Sequence, residues 1–120
     1  LLEDMSSGKK TFYAPGLGQI ESHIKPYMEA ADCLLVDGTC WTNDEMKSLG
    51  IANKMSLDMG HLPQSGPGGM IEVLRPLPSE KKVLIHINNT NPILRENSEQ
   101  RQKLTEENID VAYDGMDFVV

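Results

Sequence analysis

Cys33-Leu34-Leu35-Val36-Asp37-Gly38-Thr39 is the stretch on which the reading of this chain turns. Four consecutive apolar residues, bounded by Asp32 on one side and Asp37-Gly38 on the other, form the pattern of a strand covered on both faces. A second run of this type, Lys82 to Ile87 (KVLIHI), is closed by Asn88-Asn89-Thr90-Asn91-Pro92, whose side chains form local turns. Buried strands separated by helical segments imply a largely parallel sheet with helices packed against it, an α/β fold.

Working outward, Leu1 to Gly16 reads as a strand, a turn and a strand, with Thr11 to Ala14 as the second strand and Pro15-Gly16-Leu17-Gly18 as the turn after it. A helix is expected from about Ser22, its cap, to Ala31. Thr42-Asn43-Asp44-Glu45 matches a capping box and predicts a short helix to about Leu49. Gly50 to Gly60 is an irregular connection. Ser65, as cap, and Gly66-Pro67-Gly68-Gly69 open a helix through about Leu74, with Pro67 in the first turn, and Arg75-Pro76 ends it. Ser98 to Glu107 is polar and helical. Asp110 to Tyr113 and Met116 to Val120, around Asp114-Gly115, carry a hairpin signal, so an antiparallel pair is expected to finish the sheet.

Composition narrows the function. The chain has 120 residues, 39% of them hydrophobic, enough for one small domain with its own core. Eighteen acidic against eleven basic residues leave a net charge of -7, which argues against nucleic-acid partners, since these need clustered Lys and Arg opposite phosphates. No apolar stretch approaches the roughly 20 residues of a membrane span, and no signal-peptide pattern opens the chain, so a cytoplasmic location is expected. Cys33 and Cys40 flank the CLLV strand at a separation on the order of 23 Å when extended, which argues against a disulfide between them. Both read as buried small hydrophobes in a reducing compartment.

Ligands of open α/β sheets gather outside the carboxyl ends of the strands. One strand here delivers Asp37 and the other His86, while the Gly60-His61 loop lies between them in sequence. A carboxylate and two imidazoles at one sheet edge suit zinc or iron, and a set of two histidines and one carboxylate leaves open positions for water, oxygen or substrate. Each residue has a plainer reading as well: Asp37 as a turn cap, His86 as a core histidine, and His61 as a ligand, an acid or base, or a hydrogen-bonded loop residue. His23 reads as surface. Gly16-Leu17-Gly18 begins a GxGxxG pattern, but Glu21 stands in the third glycine's place. Ser65 to Gly69 lacks the ending of a P-loop, although its amides could hold a carboxylate or phosphate. Ser65 has no nucleophile-elbow context.

Five blocks of sequence carry a resemblance. These are Tyr13-Ala-Pro-Gly-Leu-Gly18, Leu34-Leu-Val-Asp-Gly-Thr39, Gly60-His-Leu-Pro-Gln-Ser-Gly-Pro-Gly-Gly-Met70, Leu84-Ile-His-Ile-Asn-Asn-Thr-Asn-Pro-Ile-Leu94 and Ala112-Tyr-Asp-Gly-Met116. Together they resemble the coenzyme PQQ biosynthesis protein B family of the metallo-β-lactamase-like superfamily. The likeness runs nearly end to end and covers the C-terminal portion of that family's usual length. It implies a single partial domain over residues 1–120, the C-terminal half of an αββα sandwich, with a mixed sheet and helices packed on it.

By that resemblance Asp37 stands where the superfamily's bridging aspartate follows its strand, and His86 where the last metal-ligand histidine follows its own. His61 resembles the loop histidine that assists catalysis in related RNA-processing nucleases. Asn88, Asn89, Asn91 and Ser65 are expected to orient His86 or the substrate. The superfamily's first ligand cluster is expected upstream, and a mononuclear centre follows from the family's departure from that cluster. The implied activity is iron-dependent hydroxylation of a tyrosine-derived precursor, a peptide or small-molecule intermediate, in pyrroloquinoline quinone (PQQ) biosynthesis, with zinc as the alternative metal. A carrier of PQQ or its precursor to the periplasm, and a metal-dependent hydrolase, are the alternatives. Self-association through exposed sheet surface is a further expectation.

Overall fold

In the computed structural model, which describes residues 1–120, the apolar run becomes the central strand β3 (Cys33–Asp37) of a five-stranded sheet. The others are β1 (Leu2–Glu3), β2 (Lys10–Ala14), β4 (Lys81–Ile85) and β5 (Asp110–Val111), and spatial order follows chain order. Strands β2 to β5 run parallel and β1 pairs antiparallel with β2, so the sheet is mixed as expected.

Parallel neighbours in chain order share one hand of crossover, which brings the connecting helices to one face. The register agrees. Phe12 pairs with Leu34, Val36 with Leu84, and Leu84 with Val111, so these side chains share a face. They form one core with Met28, Met70, Ile71, Leu74 and Leu104 from the helices. Burial of each such side chain is worth roughly 1.5–3 kcal/mol. The opposite face, with Tyr13, Leu35 and Ile85, is less covered: Tyr13 is 56% exposed, and Leu35 and Ile85 are half-buried. The expectation of strands covered on both faces therefore holds fully for Cys33, Leu34, Val36, Val83 and Leu84 and only partly for Leu35 and Ile85.

Four helices are short: α1 (Lys25–Glu29), α2 (Glu45–Ser48), α3 (Met70–Leu74) and α4 (Glu99–Glu106). Several boundaries differ from the sequence expectation, each for a local reason. Ser22 does not cap α1, because Pro26 lacks an N–H and fits only the first helical turn, which fixes the start at Ile24-Lys25. Ser65 does not cap α3. Gly66 (φ +83°) and Gly68 (φ +72°) take left-handed backbone that no α-helix contains, so the helix begins only after Gly69.

The capping box of Thr42 is not made either; Glu45 reaches back, but to the Trp41 amide at 2.6 Å. Ser98 does cap α4, accepting from the Arg101 amide at 3.0 Å. Strand β4 stops at Ile85 rather than Ile87, because His86 has φ +54°. The C-terminal hairpin does not form. Strand β5 pairs in parallel with β4, and the tail after Gly115 instead brings the Phe118 ring to 5.4 Å from Lys81 Nζ and onto a cavity that Thr11 also lines.

No helix is long and apolar enough to cross a membrane. Both cysteines are buried and unbridged, and burial pushes both thiols above their ordinary range.

Candidate metal centre

The sheet's carboxyl edge brings together the two residues that strand ends single out, Asp37 and His86, with His61 from the loop between them. Asp37 is the last residue of β3 and fully buried. His86 directly follows β4 and is exposed, its left-handed backbone turning the chain off the strand line. His61, half-buried, follows Gly60, whose φ of +82° closes a one-turn helix over Leu57–Met59. One ligand atom from each of the three lies within 4.8 Å of the others. The two imidazoles stack, with centroids 5.2 Å apart and planes at 21°.

Asp37 holds this edge together through four hydrogen bonds. Its Oδ1 accepts from the Thr39 amide at 3.0 Å and the Thr39 hydroxyl at 2.6 Å. Its Oδ2 accepts from the Leu17 amide at 2.9 Å and lies 2.8 Å from His61 Nδ1. The turn-cap reading of Asp37 is thus correct in itself, since bonding to the amide two residues on is an Asx turn. It coexists with the functional reading, because the other oxygen faces His61.

Glycines permit the close approach. A side-chain carbon on Gly18 would stand 3.0 Å from the Gly60 backbone, and the Leu62 amide donates to the Leu17 carbonyl at 2.9 Å, so the two loops lie directly against each other. A carbon on Gly38 would meet Ile85 O and Leu84 Cβ, both at 2.9 Å.

The expected supporting residues separate into two groups. Asn91, 2% exposed, donates to Gly38 O (2.9 Å), Thr39 O (3.3 Å) and Gln64 Oε1 (2.7 Å), and accepts from Ile93 N (3.1 Å), so it pins the loop carrying Asp37 to the loop after His86. Asn88 donates its amide to Thr39 O at 3.1 Å and its side chain to Thr90, and it borders a cavity of about 190 Å³ with Thr39 and His86. Asn89 is exposed and makes no side-chain hydrogen bond. Ser65 donates to the Trp41 carbonyl at 2.7 Å and makes no hydrogen bond to Asp37, His61 or His86. His23 is a surface residue beside Glu21, as its pattern indicates.

Sequence reasoning missed Thr39, Glu45 and Gln64. Glu45 is buried and links the Trp41 amide to the Thr90 hydroxyl, which lies 2.6 Å from its Oε1. The signal for Thr39 was present: it stands two residues after Asp37, where an aspartate at a strand end bonds its own backbone.

Two imidazoles and a carboxylate form a nitrogen and oxygen donor set suited to zinc or iron, and the exposed side of His86 leaves the approach open. The residues present therefore fit a divalent ion. Asp37 has about four lone-pair directions, all of them engaged, so its contact with His61 is the one that must lengthen if the carboxylate itself is to bind a metal. Cys40 is buried nearby, and burial first, then the Glu45 and Asp37 charges, push its thiol up, against an opposing contact from Ser56.

The mixed sheet that gathers a strand-end aspartate and two loop histidines at its carboxyl edge lies within a recognised family, since residues 1–87 match the family described as Beta-lactamase superfamily domain. The chain belongs to the beta-lactamase superfamily. Within it, the resemblance to coenzyme PQQ synthesis protein B is borne out along the whole chain. The chain is 59% identical over 120 residues to the protein of that name from Methylococcus capsulatus, 60% over 120 to that of Methylobacillus flagellatus, and 61% over 119 to that of Nitrosococcus oceani. These matches cover 99–100% of the chain and only 38–40% of those proteins. A crystal structure of Zn²⁺-bound PqqB from Methylobacterium extorquens superposes with a TM-score of 0.87 at 36% identity, over 92% of this chain and 39% of that one. The chain thus spans about two-fifths of the length of the relatives it matches.

Proposed function

We propose that this chain supplies two ligands, Asp37 and His86, and an assisting histidine, His61, to the metal centre of an enzyme that oxygenates a tyrosine-derived precursor in PQQ biosynthesis. The observation that carries the reading is the convergence of Asp37, His61 and His86, with ligand atoms within 4.8 Å. The relatives named for coenzyme PQQ synthesis support the pathway, and the Zn²⁺-bound structural relative supports a divalent metal. Iron is the metal that fits oxygen chemistry, with zinc as the alternative.

His86 would hold the ion, and Asp37 would join it once its contact with His61 lengthens. Bound iron would supply the redox chemistry that activates oxygen. His61 takes or gives the proton at the reacting ring through Nε2, since Asp37 engages its Nδ1 at 2.8 Å. The exposed side of His86 borders a cavity of about 470 Å³ walled by Ile87, Leu94, Ala112, Tyr113 and Asp114, the space in which a precursor side chain is held. Asn88, on the other side of His86, fixes the loop that carries it.

Two buried, unbridged cysteines support a reducing, cytoplasmic setting. Self-association through the sheet face bearing Tyr13 and Leu35 belongs to the same reading, and sedimentation of the chain over a concentration series checks it. The activity test is direct. Iron-loaded full-length protein, given a peptide with a Glu-Tyr unit, dioxygen and a reductant, forms a catechol; absence of product with every divalent metal removes the oxygenase reading.

A further inference from the structure

We propose that Thr39 is the positioning residue of this centre, its hydroxyl holding the ring proton of His86 on Nδ1 and so leaving Nε2 to meet the metal. The inference rests on the reading of Asp37, His61 and His86 as a metal centre and names the residue that orients it.

Thr39 is 7% exposed and lies between the two imidazoles and the carboxylate. Its Oγ1 is 2.6 Å from Asp37 Oδ1, 2.9 Å from His86 Nδ1, 3.1 Å from His61 Nδ1 and 3.0 Å from the His86 carbonyl. A hydroxyl has one proton and two lone pairs, so it donates once and accepts the rest. The carboxylate and the carbonyl only accept. The carboxylate contact is the shorter one and is charge-assisted, so it takes the proton. The lone pairs are then free for an N–H.

His61 Nδ1 is closer to Asp37 Oδ2, at 2.8 Å, and gives its proton there. His86 Nδ1 has no partner but Thr39, and donates to it. Both rings thereby carry their proton on Nδ1, turned toward the buried carboxylate directly or through one hydroxyl. Each Nε2, on the far side of its ring, retains a lone pair and makes no hydrogen bond within the chain. Metal-binding histidines are commonly fixed this way, with the second nitrogen donating to a carboxylate, carbonyl or water. Here a threonine relays the carboxylate's pull to the second histidine.

The backbone of Thr39 is itself pinned. Its amide donates to Asp37 at 3.0 Å, and its carbonyl accepts from the Asn88 amide at 3.1 Å and the Asn91 side chain at 3.3 Å. The hydroxyl is therefore held at a fixed point between the two rings.

Two variants separate the hydroxyl from the shape of the side chain. Thr39→Val keeps the shape and removes the O–H; Thr39→Ser keeps the O–H. In the metal-free, ¹⁵N-labelled chain at a pH well above the ordinary histidine value of about 6.5, ring ¹⁵N shifts distinguish Nδ1–H from Nε2–H. His86 is expected as Nδ1–H in the wild type and in Thr39→Ser, and shifted toward Nε2–H in Thr39→Val. Calorimetric titration with Zn²⁺ should weaken by roughly ten- to a hundredfold in Thr39→Val and be restored in Thr39→Ser.

An unchanged His86 tautomer in Thr39→Val, or equal loss of zinc affinity in both variants, overturns the proposal. If the tautomer shifts as expected while the wild-type chain takes up no zinc, the orienting role stands and the metal-centre reading falls. If the wild type and Thr39→Val bind zinc equally with the same tautomer, the centre stands and the role of Thr39 falls.

Discussion

Asp37 Oδ2 and His61 Nδ1 lie 2.8 Å apart, joining a fully buried carboxylate at the end of β3 to an imidazole 24 residues later in the chain. The same carboxylate accepts from Leu17 and from Thr39, so one side chain ties three loops into a single edge. Its replacement tests the whole arrangement. Asp37→Asn puts an NH₂ group where a second oxygen accepted, setting donor against donor at either Leu17 and His61 or at Thr39. Stability should fall by about 1–3 kcal/mol in denaturant titration, the cost of leaving buried polar groups unpaired. Zn²⁺ affinity should fall with it; a variant unchanged in both would remove Asp37 from its central place.

Asn91 makes a second, independent joint. Asn91→Ala leaves the Gly38 carbonyl and Gln64 Oε1 without their side-chain donor, in a setting where Gln64 Nε2 already has no partner. The expected loss is about 1–3 kcal/mol. Asn91→Asp should cost more, because a charge would face two carbonyl oxygens and an amide oxygen. Asn89→Ala, at an exposed position without side-chain bonds, should be silent in the same urea titration.

Gly38 permits the approach of β3 to β4 just before the site. In Gly38→Ala the new methyl would meet Ile85 O and Leu84 Cβ, both at 2.9 Å, and neither the strand backbone nor a buried core carbon can yield cheaply. A destabilisation of about 1–3 kcal/mol is expected. Thermal unfolding checks this, and a wild-type midpoint would show that the strands can separate without penalty.

How much of this was legible in the sequence depends on what kind of force places each residue. Leu34, Val36 and Leu84 are placed by burial, which leaves a continuous apolar run, so β3, β4 and the strand-end position of Asp37 could be read directly. Asp37 and His86 were found because strand ends collect chemistry, and His61 because its Gly-His loop lies between them in sequence. Helix starts were read less well, since Pro26 and the left-handed Gly66 and Gly68 overrode the serines that look like caps. Thr39 was passed over because its role depends on two histidines 22 and 47 residues away, a relationship carried by distance in space rather than spacing in sequence. The expected C-terminal hairpin failed for a related reason: the contact of Phe118 with Lys81 is non-local.

Acid should loosen the start of the sheet. Asp32 accepts from the Lys10 amide at 2.8 Å and from Lys9 Nζ at 3.1 Å, and these contacts, the amide foremost, hold its carboxyl below the ordinary value of 3.8. A folded-state pKa below the unfolded one gives stability that is present above about pH 3.8 and lost as pH falls through the folded value. Asp32→Asn should therefore lower stability at neutral pH and flatten the acid limb of the stability profile. An acid limb identical to the wild type would contradict this assignment.

The measurement that bears most directly on the metal centre is calorimetric titration of Zn²⁺ into the chain, run beside His86→Ala and His61→Ala. Binding of one ion per chain is predicted, with modest affinity from so few protein donors. Loss of either imidazole should weaken it by at least roughly the tenfold that a supporting contact alone contributes. Zinc binding undiminished in His86→Ala would contradict the account, because the exposed imidazole after β4 is the donor on which the proposed centre depends.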